Sequence, residues 1–482
     1  MTRVKAVSGR MFRSLQVRNY RLFFFGQLIS MSGTWMQSVA QAWLVLKLTG
    51  SGVALGVVTA LQFLPILLFG VWGGVLADRV DKRKALVMTQ TAMGIVAAVL
   101  ATVTALGIVE LWMVYVCAVL LGTANMVDSP TRQAFITELV GPVEVANAVA
   151  LNSAMFNAAR VVGPALAGAL IVGVGIWPAF ALNSVSFVAV IFGLLAMRPA
   201  ELVRGAPVGR AKGQAREGLR YVWRNDTLRS TLLLVALVGT FALNFSITMP
   251  LMARYAFHKG AGTFGLLTSC MGLGSMVGAL ATAARSRPTS RLLVGASVVF
   301  GLLMLVAAGV PTLGLELAVM PFFGAASITF MATANSTLQL NSSPEMRGRV
   351  MALYVLVFLG STPIGGPIVG WVAQTWGPRA SLALGGVACL VGAALASSSL
   401  LRSRRRRALA EAVSISGGEA GAEVGAEVGV AVEAAVEVAV EVAVEVEAAG
   451  AAGSAAAGGL PGGSAGGSAG GSADRRSESA LA

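Results

Sequence analysis

Asp128, Arg132 and Arg160 are the residues of this 482-residue chain whose types and spacing could do chemistry in an apolar setting. Asp128 and Arg132 stand four apart, which puts them on one face of a helix. Arg160 lies about 11 residues into a later apolar stretch, near its mid-depth at about 1.5 Å of rise per residue. An ionisable group that deep in hydrocarbon is costly and marks a functional position. We expect Asp128 to pair with Arg160, with Arg132 or with both. Proton coupling needs a carboxylate tuned by burial and by such partners, and Asp128 with Arg160 is the candidate set. The same acid and Arg132 could equally form a fixed structural pair. Glu316, near the outer end of the tenth apolar stretch, and Glu138, in a cytoplasmic loop, rank below Asp128. His258, the single histidine, is expected at the surface.

Other polar and aromatic residues on apolar stretches could touch a ligand. Trp35, Gln37, Gln41, Asn125 and Asn157 lie in the first half of the chain, and Asn244 and Asn335 in the second. Amides orient a ligand in an apolar pocket, and they serve equally as hydrogen bonds between helices. No G-x-x-x-x-G-K-[ST] phosphate loop, metal-ligand spacing or nucleophile constellation occurs, so no ATP drive, enzyme activity, metal or cofactor is expected. Cys117, Cys270 and Cys389 each sit inside an apolar run and are expected to pack there, with no disulfide framework.

The elements that carry these residues must be membrane-spanning helices. The chain is 56% hydrophobic and 12% charged, with a mean hydropathy of +0.77. Twelve apolar segments, each able to cross a hydrocarbon core about 30 Å thick, fall at roughly 20–47, 53–77, 85–106, 111–131, 149–173, 176–197, 230–253, 262–284, 292–310, 314–337, 349–374 and 379–401. The first follows a basic start with no cleavage signature and is expected to be retained. Placing both termini in the cytoplasm puts 29 bases on that side and four on the other, as the positive-inside rule requires. The net charge of +14 is therefore topological, which argues against a nucleic-acid partner.

The segments divide into two sets of six. A cytoplasmic N-terminus (1–19) precedes a first bundle (20–197), a basic central loop (198–229) and a second bundle (230–401). "GPALAG" from Gly163 and "GPIVGW" from Gly366 match at an offset of 203, and Gly56 and Gly265 match at 209. Such six-helix repeats let transporters build a site where two bundles meet. From 402 to 482 the chain turns to alternating Val and Glu and then Gly, Ser and Ala. That low-complexity composition is expected to form a disordered cytoplasmic tail.

One short stretch contradicts its apolar surroundings. In "GGVLADRVDKRKAL", from Gly73, six of the seven residues Asp78 to Lys84 are charged. This stretch, with the twelve segments and the Gly-Pro fifth segment, resembles the major facilitator superfamily. "RNYRLFFFGQLISMSGTWMQSVAQAWLVLKLTGS", "DSPTRQAFITELV", "NAVALNSAMFNAARVVGPALAG" and "MRGRVMAL" resemble its bacterial exporter branch, which includes the enterobactin exporter and related drug or siderophore efflux proteins. The resemblance covers about residues 15–401 and implies an all-α fold of twelve transmembrane helices in two six-helix bundles.

It further implies roles for particular residues. Gly74, Asp78, Lys82, Arg83 and Lys84 match the superfamily's gate motif after the second helix. Asp78 would meet the other bundle near Gly348 to Val350, or Arg132. Asp81 stands where many members have glycine. Gly163, Pro164 and Gly168 match the exporters' fifth-helix motif and would seal against Gly365, Gly366, Pro367 and Gly370. Ala42 stands where related sequences often carry an acid. The implied activity is export of a small amphipathic molecule, drug-like or siderophore, by alternating access and proton antiport. A monomer in the inner (plasma) membrane, surrounded by lipid, is expected. An importer, or a non-transporting receptor or assembly partner of the same fold, is the alternative.

Overall fold

Among the described residues, four helices start by one device. The side chains of Ser51, Asp81, Asn225 and Thr289 accept hydrogen bonds from backbone N–H groups of the first turn that follows, satisfying donors that a helix start leaves unpaired. A computed structural model describes residues 12–203, 214–284 and 289–416, and these are helical almost throughout.

The first half comprises α1 (Arg18–Thr49), α2 (Gly52–Arg79), α3 (Lys82–Ala105), a long run Leu111–Gly173 and α6 (Trp177–Leu195). The long run breaks at Gly141, whose φ of 68° and ψ of 175° are non-helical, directly before Pro142. Glycine tolerates that φ, and proline cannot donate the bond that would continue the helix. Two rods result: α4, residues 111–140, and α5, residues 142–173. The second half comprises α7 (Gln214–Arg224), α8 (Asp226–Phe241), α9 (Phe245–Leu251) with a π turn (Met252–Ala256), α10 (Ala261–Ala283), α11 (Ser290–Gly309), α12 (Leu313–Leu340), α13 (Pro344–Gly360), α14 (Thr362–Trp376) and α15 (Pro378–Ser416).

Among the described residues, ten helical runs are long and apolar enough to cross a membrane, the Leu111–Gly173 run among them. Its break gives an eleventh rod, and α1, 32 residues long, gives the twelfth. α1 falls short on composition because Gln27, Ser30, Gln37 and Gln41, all buried, dilute its apolar residues. Twelve crossings and an all-α architecture follow, as predicted. Leu68, Phe69, Met88, Ile95, Val185 and Phe192 are exposed, as lipid-facing positions must be in a fold whose backbone bonds close within each helix.

Helices α1 to α6 pack on one another, as do α8 to α14, with α15 packed on α11, and the two halves meet chiefly along two seams, α2 with α14 and α5 with α10. Several boundaries differ from expectation. The fourth and fifth segments were predicted at 111–131 and 149–173, with the charged residues between them as a connection. The helices continue because one face of that connection is apolar: Phe135, Ile136 and Leu139 are buried against Tyr20, Phe23, Val190 and Leu194. Within the expected central loop, α7 forms and α8 begins at Asp226. The final helix runs past residue 401 to Ser416, so the predicted tail begins as helix. Contacts divide the chain at Ser403, and of the second unit, Arg404–Ala482, the structure describes only that helical end.

Candidate functional site

Breaks in regular helix at membrane depth are tolerated where they line a cavity, and the seventh crossing has one. Between α8 and α9 the chain leaves helical geometry at Asn244 (φ −94°, ψ 48°). The Asn244 Nδ2 donates to the Thr240 carbonyl at 2.7 Å, and its Oδ1 is buried with no hydrogen-bond donor. The residue lines a cavity of about 430 Å³ between the two halves. Trp35, Gln41, Gln62, Phe156 and Arg160 line it from the first half; Phe245, Phe264, Met271, Met331 and Phe358 line it from the second. Its wall is apolar and aromatic with a few amides, as ligand pockets are.

A second cavity of about 250 Å³ adjoins it inside the first half, and Trp35, Ser38, Gln41, Gln62 and Phe156 belong to both walls. Here the structure places Asp128, fully buried. Its Oδ1 accepts from Thr89 Oγ1 and from Gln90 Nε2, each at 2.8 Å. Its Oδ2 lies 2.8 Å from Arg132 Nη2, an ion pair whose N–H direction falls short of a hydrogen bond. Arg132 Nη1 donates onward to Gln27 Oε1 at 3.3 Å. Of the two partners expected for Asp128, the structure selects Arg132. Arg160 turns to the central cavity, its guanidinium carbon 5.6 Å from the Trp35 ring centroid, and its Nε has no acceptor.

The remaining amides divide. Gln37 and Asn125 line the smaller cavity, and the Gln37 Oε1 accepts from Asn183 Nδ2 at 2.6 Å. Asn157 donates back to the Ser153 carbonyl at 2.8 Å, Asn335 accepts from Gln339, and both lie outside the two linings. Polar cavity residues without a counterpart in the sequence expectations include Gln27, Gln62, Gln90 and Asn183, and Thr89 holds Asp128 without lining either cavity. Their signal was the one used for Gln37 and Gln41: an amide or hydroxyl inside an apolar run.

The cavities are closed at the end that carries the Gly50 turn. Ser51 Oγ donates to Gln374 Oε1 at 2.6 Å, and the Val53 N–H donates to the same oxygen at 3.2 Å. Tyr255 Oη donates to the Gly50 carbonyl at 2.6 Å, and Arg254 donates to the Leu46 carbonyl. Below them Gly52 faces Gly370 and Gly56 faces Gly366 across the α2–α14 seam, while Gly168 faces Gly262 and Gly265 across the α5–α10 seam. The fifth-helix motif therefore closes on α10, and the glycines of α14 close on α2. The expected pairing of Gly163, Pro164 and Gly168 with Gly365, Gly366, Pro367 and Gly370 is corrected. Each Gly-Pro helix meets the second helix of the other repeat, a pairing that an offset within one chain does not reveal. Gly163 itself packs on Ser32 and Trp35 of α1.

At the opposite end, no hydrogen bond among the described residues joins the halves. Lys82 Nζ pairs with Glu138 Oε1 at 2.6 Å, and Arg83 Nε donates to the Leu194 carbonyl at 2.6 Å. Both bases thus bind elements of their own half, Arg83 at the C-terminal turn of α6, where the helix dipole favours a cation. Asp81, at the position where glycine is common, caps α3 by accepting from the Lys84 N–H at 3.1 Å. The packing of Gly74 and the side chain of Asp78 lie outside what is described. Glu316 is fully buried with neither oxygen hydrogen-bonded, away from both cavities. Arg379, whose charge reaches it through space, donates to the Ala308 and Val310 carbonyls. His258 is exposed, as expected.

The transmembrane secretion effector family matches residues 10–452. This chain belongs to that family, within the major facilitator superfamily. The multidrug efflux pump Tap of Mycolicibacterium fortuitum is 27% identical over 375 residues, 75% of this chain and 90% of Tap. The staphyloferrin A transporter of Staphylococcus aureus is 31% identical over 152 residues, 31% of this chain and 38% of that protein. A solved bacterial homologue of the iron transporter ferroportin, in an inward-facing state, shares the fold with a TM-score of 0.62 at 16% identity, covering 79% of this chain and 98% of its own. Gln374→Ala removes two hydrogen bonds from the closed end, each worth about 0.5–1.5 kcal/mol net. It should raise labelling of a cysteine placed in the central cavity by a reagent supplied from the Gly50 side, with unchanged labelling as the contrary result.

Proposed function

We propose that this protein is a secondary active transporter that exports a small amphipathic molecule, drug-like or siderophore, by alternating access coupled to proton antiport. The observation that carries this reading is the central cavity, built by both halves and shut at the Gly50 end. The uneven distribution of bases supports placing that end outside the cell, with both chain termini in the cytoplasm of a plasma-membrane protein. The cavity then takes its substrate from the cytoplasmic side. The similarity to the efflux pump Tap and to the macrolide efflux protein A of Streptococcus pyogenes, 22% identical over 363 residues, favours export over uptake.

In this scheme the two six-helix bundles, 20–197 and 230–401, rock as units in a monomer, and the glycine seams separate when the outer end opens. Asp78 latches the cytoplasmic end in that outward-facing state, against amides around Gly348 to Val350 or against Arg132. Asp128 carries the proton, with Arg132 as the counter-charge that takes over while the acid is neutral.

Reconstitution into vesicles tests the proposal. An imposed pH gradient should drive flux of a responsive member of a drug and siderophore panel, and a protonophore should abolish it. Absence of flux across the whole panel would favour a receptor or assembly role, and flux indifferent to pH would remove proton antiport alone.

A further inference from the structure

Arg160 is an unusual group to find in the wall of an apolar cavity. It is 9% exposed, and among the described residues no acid pairs with it. Its guanidinium carbon lies 5.6 Å from the Trp35 ring centroid, and its buried Nε lacks an acceptor. An unpaired buried cation is expensive, and cavities keep such groups where a partner of opposite charge arrives.

The rest of the cavity specifies that partner. No Asp or Glu occurs among its lining residues, and Gln41 and Gln62 add amide groups. Phe63, Phe156, Phe245, Phe264 and Phe358 supply aromatic surface. The adjoining cavity brings one acid, Asp128, already engaged by Thr89, Gln90 and Arg132. The two walls together thus hold two arginines and one aspartate, an excess of one positive charge.

We infer that the transported molecule is an amphipathic organic anion whose carboxylate or comparable oxyanion is received by Arg160 while its apolar body lies against the phenylalanines. A planar guanidinium suits this task, since its fork of donors matches the two oxygens of a carboxylate. The Trp35 ring flanks the guanidinium. A cation or a neutral amide would leave Arg160 unpaired and gain only the apolar contact. The inference deepens the exporter reading and rests on it.

The test uses the full chain in lipid nanodiscs with three fluorescent probes of one body: dansylglycine, its neutral amide, and a dansyl trimethylammonium cation. The carboxylate should bind at least tenfold more tightly than the amide, and the cation most weakly. Arg160→Gln should erase the preference while amide binding changes less than threefold, which also reports an intact fold. Arg160→Lys should retain part of it. Equal binding of carboxylate and amide by the native chain, no binding of any probe, or an undiminished preference in Arg160→Gln would overturn the inference. Vesicle flux separates the two readings. Arg160-dependent binding of dansylglycine without flux refutes the exporter and spares the anion site, whereas flux of the cation with no carboxylate preference refutes the anion and spares the exporter.

Discussion

Asp128→Asn should abolish the response of transport to an imposed pH gradient while leaving substrate binding within a fewfold of the native value. The substituted amide keeps an oxygen where Oδ1 accepts from Thr89 and Gln90, so the packing of α3 on α4 survives. It loses the charge and the exchangeable proton. Both variants leave Arg132, 16% exposed in its side chain, without its counter-charge, and Asp128→Ala should be the less stable because it also strands Thr89 and Gln90. Breaking a buried pair from one side typically costs about 3–5 kcal/mol, a substantial share of a domain's stability. Reduced yield and a lower melting temperature of the purified protein are expected, partly reversed by adding Arg132→Gln. Measured side by side, the variants separate coupling from folding. An Asp128→Asn protein that still follows the pH gradient would remove Asp128 as the proton carrier, and a stable Asp128→Ala protein would remove it as a structural anchor.

The Asp128–Arg132 pair was legible because its geometry is local. Four residues of one helix fix the spacing whatever the helix packs against. Arg160 was legible as a buried charge and illegible in direction: whether α5 turns it to α4 or to the central cavity depends on helix rotation, which no local period encodes. The same limit explains the seams. "GPALAG" and "GPIVGW" announce two equivalent close-packing helices, but their offset does not say which helix approaches each. The structure brings Gly168 to Gly265 and Gly366 to Gly56, so each repeat lends its second helix to the other.

Charge misled where it coincided with a buried face. The connection predicted between the fourth and fifth crossings carries Arg132, Glu138 and Glu144, yet it is helical up to Gly141 and again beyond it. Its apolar residues pack inward, and its charged ones find partners: Glu138 with Lys82, and Glu144 with Arg13 at 2.9 Å. Conversely, α1 was recognised as a crossing although its composition is weak for one. The amides that weaken it are those that face the smaller cavity, so the site is paid for out of the helix's own hydropathy.

The glycine seams give the second large effect expected. A Cβ added at Gly56 would run into the Gly366 carbonyl oxygen and lie 2.8 Å from the Pro367 Cα. A Cβ added at Gly265 would lie 2.5 Å from the Pro164 carbonyl oxygen and 3.0 Å from the Gly168 Cα. In each case the obstacle is backbone, which no rotamer change relieves, so α2 must back away from α14 or α10 from α5. Because interiors are close-packed, displacement at one level separates the helices for a turn or more on either side. Gly56→Ala and Gly265→Ala should therefore hold the Gly50 end open, disrupting the Ser51–Gln374 contact above, and lower flux at least tenfold. Gly173→Ala, where nothing lies within 4 Å of the added atom, should transport normally. The measurement is labelling of a cysteine introduced at Thr59, in the cavity wall, by an impermeant maleimide added from the Gly50 side. Strong labelling in both seam variants and little in the Gly173 variant is the expected pattern. If the seam variants stay shut and active, the two contacts are incidental to the gate, and the closed end must be held by the polar cluster around Ser51, Arg254 and Gln374 alone.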